Sequence, residues 1–193
     1  SPTGPYVIYS SNTIDDAAGN NNSLADYNEL IDISVDLQNV GSVNATSVNV
    51  VISTTDPYVT LTNTSVNIPL ITASQIITTP TPFSFQVALF VPDQHIAPFT
   101  LTMTDNLSNS WSSTVNVLLN APVLNHTTFT IDDGTFGNGN GKLDAGETLD
   151  LIIDATNIGH ADISTVIATL GCLSSYVTVN STTSNIATLN VSQ

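Results

Sequence analysis

The sequence is almost without positive charge. Its 193 residues include one Lys and no Arg against 16 Asp and Glu, which gives a formal net charge of −15 at pH 7. Nucleic acids and anionic membrane surfaces attract proteins through clustered Lys and Arg side chains. The composition therefore excludes an electrostatic mode of binding to either, and we expect no nucleic-acid partner.

Long apolar runs are also missing. No stretch of the sequence approaches the roughly 18 apolar residues that a membrane-spanning helix needs, so we expect no membrane insertion. The first residues lack the basic and apolar regions of a signal peptide, and a secreted form would already have lost its leader.

Cysteine and histidine are too few and too scattered to indicate an enzyme. Cys172 is the one cysteine, which rules out an intramolecular disulfide, and we predict it to be a buried residue without a special role. Nucleophilic catalysis needs a nucleophile, a base and an orienting group together, but His95, His126 and His160 follow no such pattern. Zinc-site spacing and a glycine-rich phosphate loop are absent too. We expect no enzymatic activity.

The most informative stretch, Ile131–Glu147, has the sequence IDDGTFGNGNGKLDAGE. Ca²⁺ takes about six to eight oxygens from carboxylates, amides and backbone carbonyls, and glycines let a short loop turn its carbonyls inward. From Asn138 to Asp144 every second residue is predicted to point at one centre. The predicted ligands are Asp132, Asp133, Asn138, Asn140, Lys142, Asp144 and Glu147. The spacing is not that of an EF-hand, and the alternative is an acidic, glycine-rich surface turn.

A second copy of this loop favours calcium over a simple turn. Thr13–Glu29, TIDDAAGNNNSLADYNE, repeats the oxygen-bearing side chains but loses most glycines: Asn21, Ser23 and Asn28 stand where Gly139, Gly141 and Gly146 stand later. A simple turn would be expected to keep its glycines and to let its acids drift. The ligands predicted in this copy are Asp15, Asp16, Asn20, Asn22, Asp26 and Glu29. We therefore predict two Ca²⁺ sites.

The duplication extends over most of the chain. Pro5 matches Pro122 at an offset of 117 residues, and from Gly19 and Gly137 onward the offset is 118, as far as Gln75 and Gln193. Such self-similarity indicates tandem modules. We predict one module over residues 1–120 and a second over 121–193 that is either truncated or completed by another subunit.

Within each module the hydrophobic period is two, which is typical of half-buried strands. Strands are predicted around Ile31–Leu37, Val48–Ile52, Phe83–Val91, Phe99–Met103 and Val115–Leu119, with Pro80, Pro82, Pro92 and Pro98 at strand ends. Trp111, Tyr58 and the six Phe are predicted to be core and rim residues. No helix is indicated. About seven short strands per module predict an all-β fold of tandem immunoglobulin-like antiparallel β-sandwiches.

The pattern DD…GNGNGKLDAGE, followed by a strand and N-x-G, resembles the calcium-associated immunoglobulin-like modules of Bacteroidetes secreted surface proteins. PDQHIAPFTLTMTD and NAPVL resemble the later strand and the inter-module linker of the same modules. Such modules are found in adhesins and behind the catalytic domain of gingipain-like peptidases. The resemblance implies an extracellular or cell-surface module rather than an activity.

Two functions follow as expectations. The first is a structural protein, a fibre or stalk built head to tail from copies of this chain. In this scheme the N-terminal segment Gly4–Ser10 would be donated as a strand to the open second module of a neighbour. The alternative is an accessory spacer or binding region of a secreted gingipain-like peptidase or adhesin, and a longer native chain is the alternative to completion by a neighbour.

Glycans are a further partner that the sequence allows. Asn21, Asn44, Asn63, Asn106, Asn125, Asn180 and Asn190 each begin an N-x-S/T triplet. In a chain this rich in Ser, Thr and Asn such triplets arise by chance, so they give little support to glycosylation.

Overall fold

A computed structural model describes residues 2–191. The chain divides into two compact units, Ser1–Ala121 and Pro122–Gln193, one residue beyond the boundary that the repeat predicts. All regular elements of the described residues are β-strands. No helix in residues 2–191 is long and apolar enough to cross a membrane.

Unit 1 contains ten strands. They are β1 (Val7–Asp15), β2 (Ala25–Asp26), β3 (Leu30–Asn39), β4 (Ala45–Ser53), β5 (Val59–Asn63), β6 (Ser65–Ile71), β7 (Ile76–Thr78), β8 (Phe83–Val87), β9 (His95–Thr104) and β10 (Ser110–Asn120).

The ten strands form two sheets. One has the order β1-β3-β8-β5, with β7 also paired to β3, and the other has the order β2-β10-β9-β4-β6. An immunoglobulin sandwich places its strands A, B, E and D in one sheet and C, F and G in the other. Strands β1, β3, β8 and β5 occupy the first set of places, and β4, β9 and β10 the second. The predicted immunoglobulin-like fold is confirmed, with one variation: β5 crosses to the first sheet before β6 returns to the second.

The core follows the predicted alternation along β3. Ile31, Ile33, Val35 and Leu37 are fully buried, whereas the intervening Asp32 and Asp36 lie on the outer face. There the Asp32 carboxylate accepts a hydrogen bond from Ser84 on β8, and Asp36 accepts from Ser11 on β1 and Thr78 on β7. The acids of β3 therefore link neighbouring strands of one sheet.

Two details of the predicted strands are wrong. The strand expected to reach Val91 ends at Val87, since a turn follows in which Phe90 is 85% exposed. Pro98 lies inside β9 rather than at its end. Thr54 Oγ1 donates to the carbonyl of Pro98, so the edge of β9 at Pro98 faces the chain just beyond Ser53, the last residue of β4. Strand β4 does not pair with β9 at this position, so a proline removes no hydrogen bond between the two strands.

Unit 2 repeats only part of this sandwich. Its strands are β11 (Leu124–Asp132), β12 (Asp150–Asn157), β13 (Ile163–Thr169) and β14 (Thr183–Leu189), paired antiparallel as β11·β12 and β13·β14. The first pair reproduces the register of β1·β3, including a β-bulge between His126 and Thr128 that matches the one between Tyr9 and Ser11. The second pair reproduces β4·β6. Unit 2 thus carries the counterparts of β1, β3, β4 and β6, and the prediction that another subunit or a longer chain completes it stays a prediction.

Apolar side chains that are core residues in unit 1 are exposed in unit 2. Ile33 and Val35 are fully buried, but their counterparts Leu151 and Ile153 are 38% and 48% exposed. Each sheet of unit 2 has two strands in the described residues, without the counterparts of β8, β9 and β10 that cover these positions in unit 1.

Several of the predicted core and rim residues are exposed. Phe129 and Phe136 in unit 2, and Phe90 in unit 1, are not core residues, whereas Trp111 and Tyr58 do pack against the core. Cys172 was expected to be buried and is instead exposed. It lies beyond the end of β13 in a segment without regular structure.

Candidate metal centres

The first acidic loop connects β1 to β3. It leaves β1 at Asp15 and reaches β3 after Glu29, and midway the two-residue strand β2 pairs in parallel with Leu119–Asn120 at the end of β10. The loop is thus fixed at both ends in one sheet and near its middle in the other.

Three carboxylates organise the loop from within. Both oxygens of Asp16 accept backbone N–H groups, from Asn22 at 2.8 Å and from Ser23 at 3.0 Å. Glu29 accepts the N–H of Asn20 at 2.9 Å and that of Asp26 at 3.3 Å. Asp26 Oδ2 accepts the side-chain amides of Asn20 and Asn22, each at 2.8 Å. Five of the six predicted ligands therefore form one hydrogen-bonded cluster.

The second loop repeats this cluster bond for bond. Asp133 accepts the N–H of Asn140 at 3.0 Å and that of Gly141 at 3.1 Å. Glu147 accepts the N–H of Asn138 at 3.0 Å and that of Asp144 at 3.3 Å. Asp144 Oδ2 accepts the side-chain amides of Asn138 at 3.0 Å and Asn140 at 2.8 Å.

The backbone conformation is also conserved where the glycines are not. Gly139, Gly141 and Gly146 have φ of +76°, +73° and +85°, and their counterparts Asn21, Ser23 and Asn28 have φ of 60°, 66° and 59°. A left-handed conformation costs most side chains roughly 1–2 kcal/mol, but Asn adopts it more readily than other non-glycine residues. The first loop therefore keeps the backbone conformation of the second with two asparagines and, at Ser23, with a residue that disfavours it.

One glycine is retained in both loops for a steric reason. A Cβ added at Gly19 would overlap Glu29 Oε1, and one added at Gly137 would lie 2.8 Å from the carbonyl oxygen of Asp133. The glutamate that closes each loop packs directly on this glycine.

Three predicted ligands lie outside the clusters. Asp15 and Asp132 only accept the N–H two residues ahead, from Ala17 and Gly134. Lys142 takes part through its backbone N–H, which donates to Asn140 Oδ1 at 2.8 Å, and its ammonium group forms no ion pair within residues 2–191. No group of three or more His, Cys, Asp or Glu side chains in the described residues is arranged as a metal site, so a site here depends on amide oxygens as well.

The clustered carboxylates repel one another. Asp16 and Asp26 are each 1% exposed, and Asp133 is 3% exposed. Burial raises the pKa of Glu29; Asp26 and Asp16 raise it further, while the N–H donors of Asn20 and Asp26 oppose the rise. In the second loop, the amides of Asn140 and Asn138 lower the pKa of Asp144.

This donor set suits a hard divalent cation. Carboxylate and amide oxygens are the ligands that Ca²⁺ prefers, and buried charges in proteins are paired or coordinate metals. The one ion pair formed within residues 2–191, His95 with Asp56, involves neither loop. In the first cluster the residues that fit the ion are Asp16, Asn20, Asn22, Asp26 and Glu29; in the second they are Asp133, Asn138, Asn140, Asp144 and Glu147.

Two asparagines give the modules a further shared feature. Asn39 was predicted only as part of a turn, yet it is fully buried and makes four hydrogen bonds. Its Oδ1 accepts the N–H groups of Tyr6 and Gly41, and its Nδ2 donates to the carbonyls of Val43 and Ile71. Asn157 makes the corresponding four bonds with Val123, Gly159, Ala161 and Leu189. The repeat of N-x-G was the signal available in the sequence.

Sequence reasoning missed Asn120 and Gln94. Asn120 is buried and donates from Nδ2 to Asp26 Oδ1 at 3.2 Å, and its own Oδ1 accepts from Gln94 Nε2 at 2.8 Å. No local pattern identifies these residues, because Asn120 is 94 positions from Asp26 in the sequence.

Comparison with solved structures finds several similar chains, one of which is a bacterial pilin subunit. No protein-family model matches the sequence, and no curated protein matches it. The chain is similar to the crystal structure of BcpA*(D312A), the major pilin subunit of Bacillus cereus, with a TM-score of 0.34 and 13% sequence identity, over 96% of this chain and 68% of the pilin chain. The immunoglobulin-like assignment rests on the strand order of unit 1.

Proposed function

We propose that this protein is a non-catalytic extracellular structural protein, a module of a fibre or stalk stiffened by calcium. The observation that carries the proposal is the bond-for-bond repetition of the acidic cluster in two loops that differ in their glycines. Both loops keep the same six hydrogen bonds, although the glycines that favour this backbone conformation are present only in the second. Such retention is expected where the loop binds a ligand. Ca²⁺ is the ligand that the oxygen donors favour.

Burial, and after it repulsion from Asp26 and Asp16, raises the pKa of Glu29, and a calcium ion would offset that repulsion. It would bind the carboxylates of Asp16, Asp26 and Glu29 in the first loop, and those of Asp133, Asp144 and Glu147 in the second. Because these residues join one strand of the sandwich to the next, binding would stabilise the native state over the unfolded state. Calcium at about 100 times its Kd would raise the free energy of unfolding by about 2.7 kcal/mol per site.

Assembly is the second part of the proposal. The exposed apolar face of unit 2 invites contact with another chain, and a head-to-tail contact that does not close produces a filament. The structure does not support Gly4–Ser10 as the donated strand. Val7 is buried in the core of its own unit, and the N–H of Tyr6 donates to Asn39 at 3.0 Å. Removing this segment would open the sandwich it came from.

Calorimetric titration of the chelated protein with Ca²⁺ tests the proposal that each loop binds calcium. We expect two sites, one lost in Asp16→Asn and the other in Asp133→Asn. Asp36→Asn and Asp154→Asn are the matched controls, because these carboxylates lie on the strands that follow the loops and should leave both sites intact. Absence of saturable binding, together with an unchanged Tm in EDTA, would refute it.

Sedimentation velocity tests assembly. We expect the purified chain to self-associate with rising concentration, and Ile153→Asp to abolish this by charging the exposed face of unit 2. Leu107→Asp is the control, since Leu107 is an exposed apolar residue of a hairpin in unit 1. A chain that stays monomeric at high concentration contradicts a homopolymer.

A further inference from the structure

The second acidic loop contains the only two Asn-Gly pairs of the sequence, Asn138-Gly139 and Asn140-Gly141. Asparagine is a thermolabile residue, and a following glycine has no Cβ to keep its backbone nitrogen away from the asparagine Cγ. All four residues are exposed, and a Cβ placed at either glycine would meet nothing within 4 Å. Both pairs are therefore open to water.

The first loop has the same two asparagines with different successors. Asn20 and Asn22 correspond to Asn138 and Asn140 and, like them, are exposed. In each loop both side-chain amides donate to one aspartate, at 2.8 or 3.0 Å. Each Oδ1 also accepts the N–H of the residue two positions ahead. The asparagines thus have equal hydrogen bonding, but only those of the second loop are followed by glycine.

The hydrogen bonds of the folded loop restrain these side chains. The Nδ2 atoms of Asn138 and Asn140 lie 3.0 and 2.8 Å from Asp144 Oδ2, and both amides must leave this carboxylate before Cγ can react. Asp144 is exposed, whereas its counterpart Asp26 is 1% exposed. Exposed hydrogen-bonded segments open locally at a low cost in free energy, so the second loop should open more readily than the first.

We propose that Asn138 and Asn140 are sites of non-enzymatic deamidation and that Asp144 restrains the reaction. The backbone nitrogen of the following glycine attacks Cγ of the asparagine, Nδ2 leaves as ammonia with the glycine N–H proton, and a succinimide ring closes. One water then opens the ring. The product is an aspartyl residue or an isoaspartyl residue, in which the main chain runs through Cβ. The net change is one water consumed and one ammonia released.

Deamidation changes the second cluster permanently. Either product replaces an amide that donates to Asp144 with a carboxylate that repels it, and the isoaspartyl product also lengthens the main chain by one atom. A bound cation that holds Asp144 in place should slow the reaction, so the modification records the time that the loop has spent open. Deamidation itself does not depend on calcium, but its slowing by calcium rests on the proposed function.

Peptide mapping by mass spectrometry tests the proposal on the full chain, incubated at neutral pH in excess Ca²⁺ or in EDTA. Digestion with pepsin at acid pH provides the peptides. We expect peptides that cover residues 137–142 to lose the unmodified form, and to lose it faster in EDTA. Peptides that cover residues 19–24 are the internal control and should stay unmodified over the same period. An enzymatic isoaspartyl assay distinguishes the two products.

Substitutions separate the effect of the successor from that of the restraint. Gly139→Asn combined with Gly141→Ser gives the second loop the successors of the first, whose backbone has the same left-handed conformation, and should abolish the conversion. Asp144→Ala should accelerate it both in calcium and in EDTA, because the acceptor of both amides is lost. Asp150→Ala is the control, since it removes an exposed carboxylate of the following strand, and should leave the rate unchanged.

The possible outcomes distinguish deamidation from calcium binding. Equal conversion in the two loops, no conversion of the second loop in EDTA, or an unchanged rate in the Asp144→Ala chain would overturn the proposal. Conversion that Asp144→Ala accelerates but that proceeds equally in calcium and in EDTA would support deamidation under restraint by Asp144, and would contradict a calcium site in the second loop.

Discussion

Asn120 Nδ2 donates to Asp26 Oδ1 at 3.2 Å and thereby joins the last strand of unit 1 to its acidic loop. Both side chains are buried. The residue after Asp26, Tyr27, donates its backbone N–H to the carbonyl of Asn120 at 2.9 Å. The first loop is therefore attached to the opposite sheet. Asp144, which corresponds to Asp26, is exposed.

Asn120→Ala should destabilise unit 1 and weaken its calcium site. The substitution leaves the carboxylate of Asp26 and the amide of Gln94 without one partner each, and a buried unpaired polar group costs about 1–3 kcal/mol. Urea unfolding measures the loss of stability, and calorimetry measures the affinity of each site. Asn116→Ala is the control, because Asn116 is exposed on the same strand. Equal effects of the two variants would contradict the prediction.

Glu29 and Asp36 should give opposite pH dependences in the metal-free protein. Burial and the neighbouring Asp26 and Asp16 raise the pKa of Glu29, so its contribution to stability is present below the unfolded pKa and is lost as the pH rises through the folded pKa. Hydrogen bonds from Ser11 and Thr78 lower the pKa of Asp36, so its contribution is present above the unfolded pKa and is lost as the pH falls through the folded pKa.

Glu29→Gln should therefore raise the stability of the chelated protein at pH 7, and Asp36→Asn should lower it. Urea unfolding in EDTA at pH 7 and at about pH 4 measures both effects. With calcium present the effect of Glu29→Gln should reverse, because the carboxylate then has an ion to bind. A Glu29→Gln protein that is less stable in EDTA at neutral pH would contradict the assignment.

Exchanging residues between the two loops at one left-handed position should shift stability in opposite directions. Ser23→Gly relieves a side chain at φ 66°, and Gly141→Ser introduces one at φ +73°. We expect changes of roughly 1 kcal/mol, partly offset in Ser23→Gly by the greater chain entropy of glycine in the unfolded state. Thermal unfolding in excess calcium measures both. Gly4→Ala is the control, since nothing lies within 4 Å of an added Cβ there.

Trypsin should report on the second loop through Lys142, the one basic residue of the chain. Calcium should hold the loop closed and slow cleavage, and chelation should allow a single cut that separates residues 1–142 from the rest. Mass spectrometry of the products over time measures this. Asp144→Ala should be cleaved quickly even in calcium, whereas Asp26→Ala, in the other loop, should remain protected. Rapid cleavage of the unaltered chain in excess calcium would contradict the prediction.

The sequence predicted well those features that repeat or alternate. The matching bonds of the two loops follow from the internal repeat, and the strand around Ile31–Leu37 follows from an alternation that reflects which face of a strand is buried. Exposure in unit 2 could not be predicted in this way. The pattern at Leu151 and Ile153 is that of a core strand, but the counterparts of β8, β9 and β10 are not among the described residues of unit 2, and these side chains are exposed.

Contacts between residues far apart in the sequence could not be predicted either. The pairing of Asp26 with Asn120 depends on β2 and β10 lying side by side, and a two-residue strand leaves no pattern to detect. Similarly, the fourfold hydrogen bonding of Asn39 depends on Ile71 and Tyr6 meeting at one end of the sandwich. Turn chemistry identified the residue but not its partners.

The β-bulge in each first strand decides which of two adjacent aspartates faces inward. Before the bulge Tyr9 lies opposite Leu37, and after it Ile14 lies opposite Ile33 and Asp15 opposite the outward-facing Asp32. The single unpaired residue thus shifts the alternation by one and directs Asp16 into the loop interior. The same shift at His126 and Thr128 selects Asp133 over Asp132. A one-residue deletion at either bulge would leave the acidic motif intact in the sequence while turning its buried carboxylate out to solvent.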